Sequence, residues 1–475
     1  MSTTDEGIAP AALVGVGERI SQTRRVLESL QDDIRGWVRK RELSDKNWQY
    51  VTQLGTLQTQ LEYLLAKIEE QVRAVRATEG ERSVYAALRV IDRRLIWIRR
   101  LWTYFQSKFD QRLDESLAPA LLAADEIVWS CFVQPFRQAG ATELPAVPLP
   151  FVALAYSPYA IPRDEPPQEL RSDVDAEFLK AMLKQIPIPV TGFPPLAVDE
   201  PWWLAYLAHE IGHHVQFDFD GGSLLPAFAD MLGAAGGTRW RGWGTELFAD
   251  YFSLLMIGPW ALWALAELVW STPAAMLDDS NPRYPCALVR LRFMEQAANA
   301  LGLKGTASLR GLVAGDLLNS GPVTMRGRDL REAARDDLKS ADNVAQAVVQ
   351  AQYGPFGTLQ TLCKFSSQDF DPGGTVALWS KALRGEGAMM RKGSLESARL
   401  VLGAGVGAWA MTREIADPAK RAERRLSLKS ALIEAIRASR EDIVRAAQTP
   451  SRADLETSNE RLAGLLLGDV PGSGR

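Results

Sequence analysis

Residues 199–214 read DEPWWLAYLAHEIGHH, and residues 242–252 read GWGTELFADYF. In the first stretch Asp199 has the side chain of a helix N-cap and Pro201 falls in the first turn, where no backbone donor is needed, so a helix is predicted from there through His214. His209 and His213 stand four residues apart and project from one face of such a helix, close enough to grip one ion. Glu210 is turned by about 100° from His209 at roughly 3.6 residues per turn. It flanks the ion rather than binding it. This H-E-x-x-H arrangement supplies two nitrogen ligands and a carboxylate base.

Two imidazoles do not complete a catalytic zinc site, which takes three protein ligands and keeps one position open. The one remaining histidine, His214, adjoins His213 on another face and reads as solvent-exposed or as an outer partner. Positions 216 and 219 are Gln and Phe, so the longer motif with a third histidine is absent. The third ligand is therefore a carboxylate or a poorer donor. The second stretch offers one: Thr245 reads as a cap, and Glu246 and Asp250 again share a face at i and i+4. Glu246 can complete a His2Glu set, and Asp250 can accept the free ring N–H of a ligating histidine. Two carboxylates on an otherwise apolar helix are costly to bury without such partners. Asp218 and Asp220 are alternative ligands, although a polar loop explains them.

Together the two motifs resemble the gluzincin clan of zinc metallopeptidases over roughly residues 150–300. The resemblance implies a zincin-like core, with Zn2+ held by His209, His213 and Glu246, Glu210 as general base and Asp250 behind a ligand. It also implies that the segment 186–190 is the edge strand that pairs with an extended peptide or protein substrate. Hydrolysis further needs a donor to the oxyanion. Tyr284, in NPRYPC, is the candidate, with Tyr251, Arg283 and Arg290 as alternatives. The function expected is zinc-dependent peptide hydrolysis. A zinc-binding but non-proteolytic regulator, or a helical interaction scaffold, is the alternative; neither has a use for Glu210.

Outward from this core the chain is mainly helical with a small β element. Residues 1–138 read as an N-terminal helical bundle, with apolar stripes at Ile20, Leu27, Leu30, Ile34 and Trp37, at Leu54, Leu57, Leu61, Leu64 and Ile68, and at Val84, Leu88, Ile91, Leu95, Ile98, Trp102 and Phe105. Polar breaks fall near 44–45 and 78–80. The run Arg89, Arg93, Arg94, Arg99 and Arg100 reads as a solvated helix face. These helices are also a surface for self-association or a protein partner. Residues 139–305 form the core segment: strands at 151–156 and 186–190 flank a helix at 173–184, a glycine-rich loop spans 233–244, and helices cover 246–270 and 285–301. Residues 306–467 make a C-terminal helical subdomain, with helices at 329–352, 374–383, 395–414 and 418–447, and residues 468–475 a disordered tail.

The chain has 475 residues, 47% hydrophobic and 24% charged, with a net charge of −4. Nothing in that balance favours nucleic acid, which wants a basic face. Three dispersed cysteines make neither a disulfide framework nor a metal knuckle, and the acidic start MSTTDEGIAP lacks the pattern of a secretory signal. The uncharged run of most interest, 251–266, is interrupted by Gly258-Pro259 and too short to span a bilayer. The expectation is a cytoplasmic protein without membrane attachment.

Overall fold

A computed structural model describes residues 15–42, 50–76, 80–161, 167–170, 176–186, 188–304, 323–325, 328–388, 393–440 and 452–468. It is mainly helical with a small sheet. The longer helices are α1 (Val16–Glu42), α2 (Val51–Ala74), α3 (Glu81–Asp110), α4 (Ala118–Gln138), α5 (Ala176–Lys184), α6 (Tyr206–Asp218), α7 (Leu224–Gly236) and α8 (Gly244–Ile257). They continue as α9 (Pro259–Val269), α10 (Ala287–Ala300), α11 (Leu330–Gln350), α12 (Thr375–Leu383), α13 (Ser397–Met411), α14 (Pro418–Ala438) and α15 (Arg452–Leu467).

The chain divides into two compact units, one of residues 1–110, 163–188 and 445–475, the other of residues 111–162 and 189–444. The division departs from the segments expected in linear order: α4 belongs to the second unit, and α15 to the first. In the first unit the three apolar stripes are buried from Leu27 to Phe105, with Ile20 half-exposed at the end. Each buried aliphatic side chain contributes about 1.5–3 kcal/mol. α15 joins them through polar contacts as well. Gln60 Nε2 donates to Gln185 O at 2.6 Å and to Ser458 Oγ at 3.1 Å. Arg94 is more than a solvated charge, because its guanidinium donates to the carbonyls of Leu466 (3.0 Å) and Leu467 (2.6 Å) at the end of α15, where a cation suits the helix dipole. The breaks expected at 44–45 and 78–79, the first residues of the helix expected from 173, and the tail beyond 468 lie outside the described residues.

In the second unit a three-stranded sheet has the order β1 (Leu149–Val152), β3 (Val190–Phe193), β2 (Tyr159–Ile161). β3 runs parallel to β1 and antiparallel to β2. The strand expected at 186–190 is thereby corrected, since it begins at Val190 and lies in the middle of the sheet. Pro189 precedes it and serves only as an acceptor, from Leu149 N at 2.8 Å, which suits a residue without an N–H. The strand expected at 151–156 likewise stops at Val152, and residues 153–158 turn back into β2.

Helix boundaries moved for local reasons. Asp199 does not cap the motif helix: it ends a short turn at Leu196–Asp199, a 3-10 turn follows at Pro201–Ala205, and α6 starts at Tyr206. The tryptophans there are anchored, Trp202 stacked on Trp409 (5.2 Å) and Trp203 on Tyr206 (5.3 Å). Thr245 lies inside α8 rather than capping it. The loop expected at 233–244 is largely helical, because α7 continues to Gly236 and a further turn covers Thr238–Gly242. The single helix expected over 246–270 is two, broken where Gly258 takes φ +63° ahead of Pro259. A Cβ there would also meet the Phe370 ring at 2.3 Å. The helix expected over 418–447 stops at Ala438, and 441–447 lie outside the described residues. Among the described residues no single helix is long and apolar enough to cross a membrane.

Candidate metal centre

The site is built where α6 crosses α8. A Cβ on Gly212 would stand 2.8 Å from Ala249 Cα and 3.3 Å from Phe252 Cβ. Only a glycine lets the two backbones approach this closely. The crossing sets Glu246 opposite both motif histidines. His209 Nε2 is 3.2 Å from His213 Nε2 and 3.5 Å from Glu246 Oε2, and His213 Nε2 is 3.6 Å from Glu246 Oε1. Among the described residues these three form the one group of three or more His, Cys, Asp or Glu side chains placed so that they could hold a metal ion. Tetrahedral zinc with bonds of about 2.0–2.1 Å to nitrogen and oxygen would separate its donors by about 3.3 Å. The donor types and spacings fit that ion.

Behind the donors, each Nδ1 is engaged. His209 Nδ1 lies 2.9 Å from Asp250 Oδ1, the role expected of Asp250. His213 Nδ1 lies 2.9 Å from Gln216 Nε2. Arg290, on α10, grips Asp250 with Nε at 2.5 Å from Oδ2 and Nη2 at 2.8 Å from Oδ1. Its Nη2 also lies 3.3 Å from Glu246 Oε2. Arg290 thus holds two carboxylates in place through Nε and Nη2. Neither Gln216 nor the clamp was foreseen. The signal for Gln216 was its i+3 offset from His213; the partner chosen by Arg290 had no local signal.

The charges reshape one another. Burial opposes protonation of His209, but Asp250 and Glu246 outweigh it and carry the ring up to about 10. His213 goes down to about 4, from burial and from the His209 and Arg290 cations. Glu246 and Asp250 resist protonation despite their burial, held low by His209 and Arg290. Glu210 is pushed up to about 7 by burial, with Glu246 adding to it; His209, Arg290 and a hydrogen bond from the backbone N–H of Ala160 oppose the rise. That contact puts β2 beside Glu210, so the edge strand next to the site is Tyr159–Ile161 and not 186–190.

Of the oxyanion candidates, Tyr284 lies at the site, partly exposed, its phenol pushed up to about 12 by partial burial and by the Glu246 and Glu210 carboxylates. Tyr251 faces away: it is fully buried, in the field of Tyr353 and Cys363. Arg283 is exposed, its backbone N–H closing a turn on Asn281 Oδ1 at 3.0 Å. His214 is not solvent-exposed: it is 1% accessible, and its Nε2 lies 2.9 Å from Thr191 Oγ1 in β3, tying α6 to the sheet. Asp218 and Asp220 are not in the metal-binding group.

No protein-family model, curated protein or solved structure matches the chain.

Proposed function

We propose that this chain is a zinc-dependent metallopeptidase with a zincin-like core of the gluzincin type. The observation that carries the reading is the donor triangle of His209, His213 and Glu246, whose sides of 3.2, 3.5 and 3.6 Å suit one tetrahedral ion. When bound, zinc supplies Lewis acidity toward a substrate carbonyl and acidifies water. Glu210 stands on the next face of α6, where it can take a proton from that water and return it to the leaving amine. Tyr284 can donate its phenolic proton as a hydrogen bond to the developing oxyanion. β2 has one edge on β3 and lies at the margin of the sheet, so an extended peptide can add beside it and run past Glu210. Retention of Glu210 in a buried position favours hydrolysis over a purely structural zinc site.

The test compares zinc content and peptide-library cleavage in the wild type and in Glu210→Gln. The expected result is one zinc per chain in both, with cleavage reduced about 10²–10⁴-fold in the variant. Absence of zinc from the wild type, or undiminished cleavage by the variant, overturns the reading.

A further inference from the structure

We infer that Gln216 positions His213 for metal binding, holding the Nδ1 edge of the ring so that Nε2 faces the site centre. The inference rests on the metal reading above. Gln216 follows His213 by three residues, on the same face of α6. It is wholly buried, its Nε2 lies 2.9 Å from His213 Nδ1, and its Oε1 has no partner. Burying a primary amide with one end unsatisfied costs stability, and leucine or methionine would fill the space without that cost. The contact with the ring is what the amide provides.

Chemistry assigns the contact a direction. The imidazole nitrogen that faces the ion must offer a lone pair, so the other nitrogen carries the proton and needs an acceptor. Both Nε2 atoms face the donor triangle, hence both Nδ1 atoms must donate. His209 donates to Asp250. His213 has the Gln216 amide, which can turn either end to the ring. Against a metal-loaded site the oxygen faces Nδ1–H; with Nε2 toward the ring, the arrangement suits the other tautomer. A neutral acceptor orients the ring without adding a fourth carboxylate to Glu210, Glu246 and Asp250, which share the cation Arg290.

The experiment measures zinc affinity of the full chain by chelator competition for wild type, Gln216→Leu, Gln216→Met and Gln216→Glu. The melting temperatures of the metal-free forms and the ring 15N shifts of His213 in the zinc-loaded wild type are measured alongside. Leu and Met are expected to weaken zinc about 10–100-fold without lowering the metal-free melting temperature. Glu, which restores an oxygen, is expected to return most of the affinity, and His213 is expected to show a protonated Nδ1. Apolar variants that bind zinc as tightly as wild type overturn the inference alone, as does affinity that falls only in step with stability. A wild type that takes up no zinc overturns the metal reading and this inference with it.

Discussion

Arg112 and Asp125 are buried beside α4, and Glu246 and Asp250 are buried on α8, yet the two groups leave different things over. Arg112 Nη2 donates to Asp125 Oδ1 at 2.5 Å and to Pro150 O at 3.0 Å, and Nε donates to Oδ2 at 3.1 Å. The guanidinium grips the Asp125 carboxylate with two nitrogens and joins the residues before α4 to β1. At the α6–α8 crossing, Arg290 similarly satisfies Asp250, but two imidazole nitrogens and the Glu246 carboxylate still converge on a common point. A buried charge pair that bridges two elements serves structure; a group whose donor atoms converge on one point could hold an ion as well.

That contrast is broken or sharpened by substitution. The largest effect is expected at the Arg112–Asp125 pair, where Asp125→Ala removes the buried carboxylate that two guanidinium nitrogens hold and should cost about 3–5 kcal/mol of folding stability. Chemical denaturation measures the loss, and the folded fraction should keep wild-type zinc affinity. Replacing both partners, Arg112→Met with Asp125→Leu, should recover most of the stability; a double variant as unstable as the single one breaks the comparison. At the α6–α8 crossing the signature reverses. Asp250→Asn is expected to weaken zinc about 10–100-fold, worth about 1.4–2.7 kcal/mol, and chelator competition is the measurement. Equal zinc binding in that variant would place Asp250 with the structural pair.

The smallest effect concerns the other unit. Lys108 is buried, its ammonium 3.6 Å from the Tyr104 ring centroid and 3.7 Å from Glu169, and burial lowers its pKa to about 8 while Glu169 opposes the shift. Between about pH 8 and the ordinary lysine value of 10.5 the unfolded chain keeps a proton that the folded chain releases. Stability should therefore rise with pH across that window, by an amount of order 1 kcal/mol. Melting curves of wild type against Lys108→Met check it: the difference between them should shrink as pH climbs from 8 to 10, and a constant difference removes Lys108 as its cause.

The legibility of this chain follows the range of the forces involved. His209, Glu210 and His213 were readable because 3.6 residues per turn places i and i+4 together whatever the helix packs against, and Glu246 and Asp250 were readable by the same rule. The buried stripes of α2 and α3 follow that rule as well. Helix starts were not: the 3-10 turn at Pro201–Ala205 packs its Trp202 on Trp409 from a distant helix, and the helical path through Gly233 and Gly236 runs against Arg241 and Trp240 of the turn that follows. The misplaced edge strand has the same origin, since prolines 187 and 189 announce that a strand is near but not which of its sides is paired.

By itself, then, the sequence determined which side chains share a helical face, because that depends only on the local pitch of the backbone. Whether the two faces meet was decided in three dimensions, by Gly212 against Ala249. So were the arrival of Arg290 from a third helix, the placing of β2 beside Glu210 and the inward turn of His214 toward Thr191. These contacts join residues distant along the chain, and the packing of whole elements selects them, not any property of the residues' immediate neighbours.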